Sequence, residues 1–212
     1  MMKNLVIIGA GGCGRELLQW SKDINAVEQR WIIKGFLEYD EGALKDKICS
    51  AEIIGNDDSY GISEDDEFVC GIGNCELREK VIKKFMAKGA KFVNLIHPSS
   101  IISETSKLGN AVIVYPFVSI SDNTIIGDGT IINSHTSIGH DVHIGKFCTI
   151  SAHCDVTGMC TLGDRVFMGS TSHVVPNSGI GDDAYICAGS TVMASVRSDL
   201  KVLGNPAKIV KF

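Results

Sequence analysis

Three histidines and an acid crowd one short stretch, "SHTSIGHDVHIG" at residues 134–145, where His135, His140 and His143 fall close together and Asp141 follows His140. Clustered imidazoles suit zinc, while a single imidazole beside a carboxylate suits proton transfer near neutral pH. A second chemical signal lies near the N-terminus. The run "GAGGCG", Gly9 to Gly14, fits G-x-G-x-x-G, a spacing that brings backbone N–H groups and a helix start close to a phosphate. Glu38 and Asp40 close the next expected strand, where a carboxylate can accept ribose hydroxyls. A third set, Cys148, Cys154 and Cys160, is spaced by six. No base addresses these thiols, and they read as small core filler.

These groups act only where the chain positions them, and the chain has two grammars. Residues 1–97 alternate strands with helices. "KNLVIIGA", "RWIIKGFLE", "DEFVCGIG" and "KFVNLI" are strand patterns, and "GRELLQWSKDI" and "CELREKVIKKFMAKG" are helical ones. The second helix is expected to set Leu77, Val81, Ile82 and Phe85 on one buried face and to end at Gly89. Such alternation predicts a small parallel α/β sheet, half of a dinucleotide-binding fold and better sized for a single nucleotide than for NAD. "HPSS", residues 97–100, reads as the linker.

From Ile102 the period becomes six. Aliphatic residues recur at Leu108, Val114, Ile120, Ile126, Ile132, Ile138, Ile144, Ile150 and onward to Val192, each with a small residue four places later. Gly109, Gly127, Gly145, Gly163 and Gly181 add a period of eighteen, expected to mark a glycine-containing turn at one corner. Eighteen is three sixes, so residues 98–212 predict a triangular parallel β-solenoid of about five coils with stacked aliphatic side chains inside.

In this frame no solenoid histidine occupies an inward position. His135 and His153 fall three places after an aliphatic residue, and His143 and His173 fall one before. All four are expected on outward strand positions, and His140, between Gly139 and Asp141, alone at a corner.

Bulk composition excludes other classes. The net charge of −5 is no footprint for nucleic acid or an acidic membrane, and no apolar run approaches the length of a bilayer span. Eight cysteines without a CxxC pair or a secretory signal predict reduced thiols and a cytoplasmic setting.

The six-residue repeat, the tail "GNPAK" (Gly204 to Lys208) and "GHDVHIG" resemble the hexapeptide-repeat acyltransferases. With the glycine turn ahead of it, the chain is similar to bacterial sugar acyltransferases of the sialic-acid and bacillosamine-pathway type. That resemblance implies an α/β Rossmann-like half-domain followed by a left-handed parallel β-helix, assembled as a homotrimer, with acetyl-CoA as acyl donor and no metal. It implies a nucleotide-linked amino sugar held near Gly9, Gly11, Gly12, Cys13, Gly14, Glu38, Tyr39, Gly73 and Asn74. Cys13 stands where many members carry histidine, and Glu38 and Tyr39 stand in place of a more usual acidic pair. His140 is implied as general base, Asp141 as the carboxylate orienting it, and Asn133 as a neighbour in the cleft. Thr149, Gly169, Ser170, Ala188 and Lys208 match positions along the coenzyme A groove. The implied reaction is direct N-acetylation of the sugar amine. O-acetylation of a sialic-acid-type sugar, a zinc enzyme of the gamma carbonic anhydrase kind using His135, His140 and His143, and a non-catalytic nucleotide-sugar scaffold are the alternatives.

Overall fold

The computed structural model describes residues 2–211 and divides into two compact units, Met1–Pro98 and Ser99–Phe212. In the first unit five strands form one parallel sheet: β1 (Lys3–Ile8), β2 (Trp31–Leu37), β3 (Ile53–Gly55), β4 (Asp66–Cys70) and β5 (Lys91–Phe92). Their order is β3-β2-β1-β4-β5. The chain walks outward from β1 to β3 and then returns to the other side of β1, so the order reverses between β1 and β4. Ligands of open α/β sheets bind at such a reversal, outside the C-terminal strand ends. Leu5 to Ile8, Phe36, Phe68 and Val69 are buried, which is why these strands read as continuous apolar runs rather than alternating ones.

Helix α1 (Gly12–Val27) follows β1 and begins inside the glycine run, two residues before the expected start. Helix α2 (Cys75–Ala87) follows β4, and the Asn74 side chain caps it by accepting the Leu77 N–H at 2.8 Å. The face it buries differs from the expected one. Ile82 and Phe85 are in the core, but Leu77 is half exposed and Arg78 is fully buried in its place. Arg78 is tolerated there because its guanidinium donates to the carbonyls of Ile72 and Gly73, at 2.7 and 3.1 Å. Strand β3, only three residues long, carries too few positions to show a period and was not expected from the pattern.

The second unit is the parallel β-helix that the period of six requires. Two-residue strands pair with strands eighteen residues away, as in Ser119↔Ser137↔Asp155 and Ile125↔His143↔Thr161. The inner residue of every pair from Val114 to Val192 is buried. The small residues also bond along the axis. Thr124, Thr130 and Thr136 donate their hydroxyls to carbonyls fifteen residues on at 2.9–3.0 Å, and the Cys148, Cys154 and Cys160 thiols point at equivalent carbonyls at 3.1–3.2 Å. These three cysteines are buried, as core filler should be. All eight cysteines are free thiols.

The corners depart from expectation in two ways. First, the left-handed backbone conformation falls not on the glycines of the eighteen-residue ladder but on a separate series six apart. His135, Asp141, Phe147, His153 and Met159 all have φ between 56° and 62°. Their N–H groups bond to carbonyls of the preceding coil, for example Asp141 to Asp122 at 2.9 Å, so a conformation costing ~1–2 kcal/mol per residue is held by the ladder. His135 and His153 are therefore corner residues, while His143 and His173 lie in strands as expected. Second, the ladder glycines are required by close approach. A Cβ on Gly127 would lie 2.5 Å from the Gly145 carbonyl, and one on Gly145 would lie 2.5 Å from that of Gly163. The acid that often follows is also explained: Asp128, Asp164 and Asp182 accept the N–H one coil back, from Asn110, Lys146 and Asp164, at 2.7–2.9 Å.

Gly145→Ala is expected to destabilise the β-helix by roughly 1–3 kcal/mol, because backbone rather than a flexible side chain occupies the space. Gly61→Ala, where nothing lies within 4 Å and φ is ordinary, is expected to leave stability within ~0.5 kcal/mol. Denaturant unfolding of both variants checks the pair.

Candidate active site

Adjacent residues in a strand point to opposite faces, so His140 and Asp141 could not pair on a flat side of the triangle. They meet because they form a corner, with Asp141 in the left-handed slot at φ 58°, a conformation that short polar side chains tolerate. His140 Nδ1 lies 2.8 Å from Asp141 Oδ2. With the carboxylate accepting Nδ1–H, the Nε2 lone pair is left to receive a proton. Both side chains are more than half exposed in the single chain, at 57% and 51%.

The acid is itself supported. Asn123, one coil back in the same corner row, reaches Asp141 Oδ1 at 3.4 Å. The bond to His140 chiefly holds the Asp141 carboxyl below the usual carboxylate range, and the Asn123 amide adds to it. Asp141 therefore stays ionised at neutral and mildly acidic pH, and its pairing is lost only as pH falls through that lowered value.

One positioning feature escaped sequence reading. Gly158 stands eighteen residues after His140, in the same corner row one coil on. A Cβ there would lie 2.6 Å from His140 Nε2 and 2.8 Å from its Cε1. The imidazole rests on the space left by the missing side chain. Gly158 lies outside the glycine ladder, and only the eighteen-residue offset from His140 marks it.

The other expected members of this site are dispersed. Asn133 follows a strand of a different sheet from the one His140 follows, so they occupy different corners, and its Oδ1 takes the Ser134 N–H at 2.6 Å. His135 stacks between Phe117 and His153, with ring centroids 4.9 Å apart on each side. Among the described residues no three His, Cys, Asp or Glu side chains gather as a metal site. Gly169, Ser170 and Ala188 do come together. The Cβ position of Gly169 is 2.5 Å from the Ala188 nitrogen, and Ser170 and Ala188 are exposed beside it, so this corner is a shallow shelf of small residues. Thr149 is buried on a flat face, and Lys208 is exposed in the tail, paired opposite Leu203.

In the first unit the glycines divide into two kinds. Gly9, at φ 91°, makes the turn, and Gly14 must lack a side chain because its Cβ would lie 1.9 Å from the Gly9 oxygen. Gly71 must lack one too, with Gly14 Cα at 2.6 Å. These approaches pack the start of α1 against the ends of β1 and β4. Gly11, Gly12 and Gly73 face open space, and no side chain caps the start of α1. Cys13 is half-buried in the first turn of α1.

Glu38 is already engaged. Its carboxylate accepts the N–H of Ala10 at 3.0 Å and of Tyr39 at 2.9 Å, which ties the glycine turn to the end of β2. Asp40 accepts the Gly42 N–H in its own turn, and the Tyr39 hydroxyl reaches Asp58 at 3.1 Å. A cavity of about 250 Å³ opens here, lined by Gly9, Glu38 and Tyr39 together with Asn56, Asp57, Ile72, Leu77 and Val81. Leu77, expected in the core, is spent on this wall. The segment carrying Asn56 and Asp57 follows the short β3 and carries no pattern that sequence reading could use. A larger cavity of about 520 Å³ is lined by Glu38, Glu41 and Glu52 together with Lys47, so carboxylates outnumber the ammonium on its wall, a balance that disfavours phosphate.

Known proteins share this fold. Residues 4–85 match the PglD N-terminal domain. The chain is 32% identical over 149 residues to the GDP-perosamine N-acetyltransferase of Escherichia coli O157:H7, covering 68% of this chain and 67% of that protein. It superposes on PerB from Caulobacter crescentus, solved with CoA and GDP-perosamine, with a TM-score of 0.88, 28% identity and coverage of 100% and 99%. The acetyltransferase domain of PglB from Neisseria gonorrhoeae, solved with acetyl coenzyme A, shares the fold at 22% identity and a TM-score of 0.90, over 99% and 100% of the two chains. A Rossmann-like half-domain ahead of a hexapeptide β-helix is thus the architecture of a class of acyltransferases, in which the helix winds left-handed as the resemblance implied. Within that class the chain belongs to the hexapeptide-repeat sugar acetyltransferases with a PglD-type N-terminal domain.

Gly158→Ala is expected to fold normally, because the atoms in its way belong to a side chain that can swing aside. The imidazole should then leave Asp141. Nitrogen NMR of the His140 ring checks this by loss of the Nδ1–H tautomer preference, at a melting temperature within ~2 °C of the parent.

Proposed function

We propose that this protein transfers the acetyl group of acetyl-CoA to the amino group of a nucleotide-linked amino sugar, by direct transfer. The observation that carries the reading is the His140–Asp141 pair, bonded at 2.8 Å on an open corner of a β-helix with Nε2 left unengaged. The kinship with GDP-perosamine N-acetyltransferases favours an amine over a hydroxyl as acceptor.

In the proposed step the neutral sugar amine attacks the thioester carbonyl. The C–N bond forms, the C–S bond breaks, and the amine proton passes to His140 Nε2 and from there to the departing thiolate. Asp141 holds Nδ1–H toward itself and stabilises the imidazolium as it forms. Gly158 acts as a positioning residue beneath the ring. Asn133 is proposed to serve the same cleft from a neighbouring copy, since within one chain it stands at another corner. This goes with a homotrimeric working unit in which the exposed pair is covered. The shelf of Gly169, Ser170 and Ala188 fits a pantetheine chain lying along the coils, with Thr149 and Lys208 at its ends. The first unit is proposed to hold the nucleotide, with its phosphates at the uncapped start of α1 (Gly11, Gly12, Cys13) and the Gly73–Asn74 turn. Glu38 and Tyr39 flank the ribose. Among the described residues no helix is long and apolar enough to cross a membrane, and a cytoplasmic setting suits both proposed substrates and eight free thiols.

Thiol release from acetyl-CoA against a panel of GDP-, UDP- and dTDP-linked amino sugars tests the reading, and no release with any acceptor would overturn it. His140→Ala is expected to lower kcat by ~10²–10⁴-fold with the melting temperature unchanged. Light scattering should give three times the chain mass, and a monomer would remove the role given to Asn133.

A further inference from the structure

A fully buried cation lies beneath the turn that joins β4 to α2. One guanidinium nitrogen of Arg78 donates to the carbonyls of both Ile72 and Gly73, at 2.7 and 3.1 Å. Those carbonyls belong to consecutive peptides, Ile72–Gly73 and Gly73–Asn74. Both peptides are trans, and a planar trans peptide points its N–H opposite to its C=O. Drawing both carbonyls inward therefore turns the N–H groups of Gly73 and Asn74 outward. Gly73 and Asn74 are exposed, and a Cβ on Gly73 would meet nothing within 4 Å, so the outer side of the turn is open. The Asn74 N–H has no partner among the described residues. Glu76, the acid in the first turn of α2, is engaged by Lys80 at 2.6 Å. The turn leaves the C-terminal end of β4, where Gly71 packs against Gly14 beside the reversal of strand order. Packing alone would favour the opposite arrangement of neighbours, with Leu77 inside and Arg78 outside, because burying a guanidinium is costly.

We infer that Arg78 is a positioning residue for the acceptor substrate, orienting the Gly73 and Asn74 N–H groups toward the diphosphate of the nucleotide-linked sugar. The inference rests on the nucleotide-sugar reading above and deepens it. Arg78 does not touch the substrate and acts through the turn in two ways. It locks two successive peptides so that they present donors, the arrangement of an anion-binding backbone nest. Without the guanidinium either peptide is free to flip, and a flipped peptide presents a carbonyl oxygen to the phosphate. It also sets a full positive charge behind those donors, inside the protein, where salt screens it little. Lysine at this position keeps the charge and has donors of its own, but loses the planar group that fixes their direction.

Kinetics of the full-length protein with the best acceptor of the GDP-, UDP- and dTDP-linked panel test the inference. Arg78→Met is expected to raise the KM for that acceptor ~10–100-fold, the worth of a hydrogen bond to a charged group. Uniform loss of substrate binding leaves kcat and the KM for acetyl-CoA close to those of the parent. Arg78→Lys, which restores a cation, is expected to recover most of the affinity. An unchanged acceptor KM in folded Arg78→Met, a fall in kcat in place of the rise in KM, or no recovery in Arg78→Lys would overturn the role. A second measurement needs no substitution. In isotope-labelled parent protein the Gly73 and Asn74 amide protons are expected to shift downfield on addition of inorganic pyrophosphate or the matching nucleoside diphosphate. Amides that stay in place while the ligand binds would sink the idea even where Arg78→Met fails to fold. Binding of no nucleoside diphosphate by the parent would remove the nucleotide reading as well, whereas undiminished binding by Arg78→Met removes the role of Arg78 alone.

Discussion

The β-helix depends on one constraint: each residue must find its backbone partner eighteen positions along the chain. A coil can close in eighteen residues only if the backbone turns sharply three times, and each turn places one residue in the left-handed conformation. Each such residue is strained alone, but its N–H bonds the coil before it, so the ladder that needs the corner also stabilises it at ~1 kcal/mol per bond. The close stacking that results leaves no room for a Cβ on Gly127 or Gly145. It also makes a corner the place where consecutive side chains project together. The pairing of His140 with Asp141 is thus a consequence of coil geometry, and so is the space over Gly158 in which the imidazole lies.

The first unit solves a related problem with different means. Gly9, Gly14 and Gly71 let the end of β1, the start of α1 and the end of β4 approach to backbone contact. Side chains at those positions would force the helix start away from the crevice. Glu38 then tethers the glycine turn to β2 through the Ala10 N–H. The buried guanidinium of Arg78 grips the carbonyls of Ile72 and Gly73, which fixes the β4–α2 turn on the other side. A cavity with apolar walls, rather than a packed core, is what remains between them, and the half-exposed Leu77 is the sign of it.

Much of this was legible in the residues. A six-residue period sustained from Ile102 to Val192 leaves one side of each two-residue strand inward, and every inner side chain from Val114 on is buried. The strand–glycine–helix grammar of residues 1–97 was equally readable, apart from β3, which is too short to carry a pattern. Misreadings came where contact between distant segments outweighs local preference. Glycine suggests a left-handed turn, yet Gly145 serves backbone approach while His135 and His153 take left-handed corners. Leucine suggests core, yet Arg78 is buried and Leu77 is not, because two carbonyls stand ready for the guanidinium.

By itself, then, the sequence determined the period, the inward side chains, the division into two grammars and the candidacy of His140 with Asp141, since these follow from spacing along the chain. The tertiary structure alone decided what lies across the coils and across the sheet. It placed Gly158 beneath the imidazole and separated Asn133 from His140. It occupied Glu38 with the glycine turn and set the Arg78 guanidinium against the Ile72 and Gly73 carbonyls. The physical reason is the same in each case: such contacts depend on which backbone lies within a few ångströms after folding, and local spacing carries no record of that neighbour.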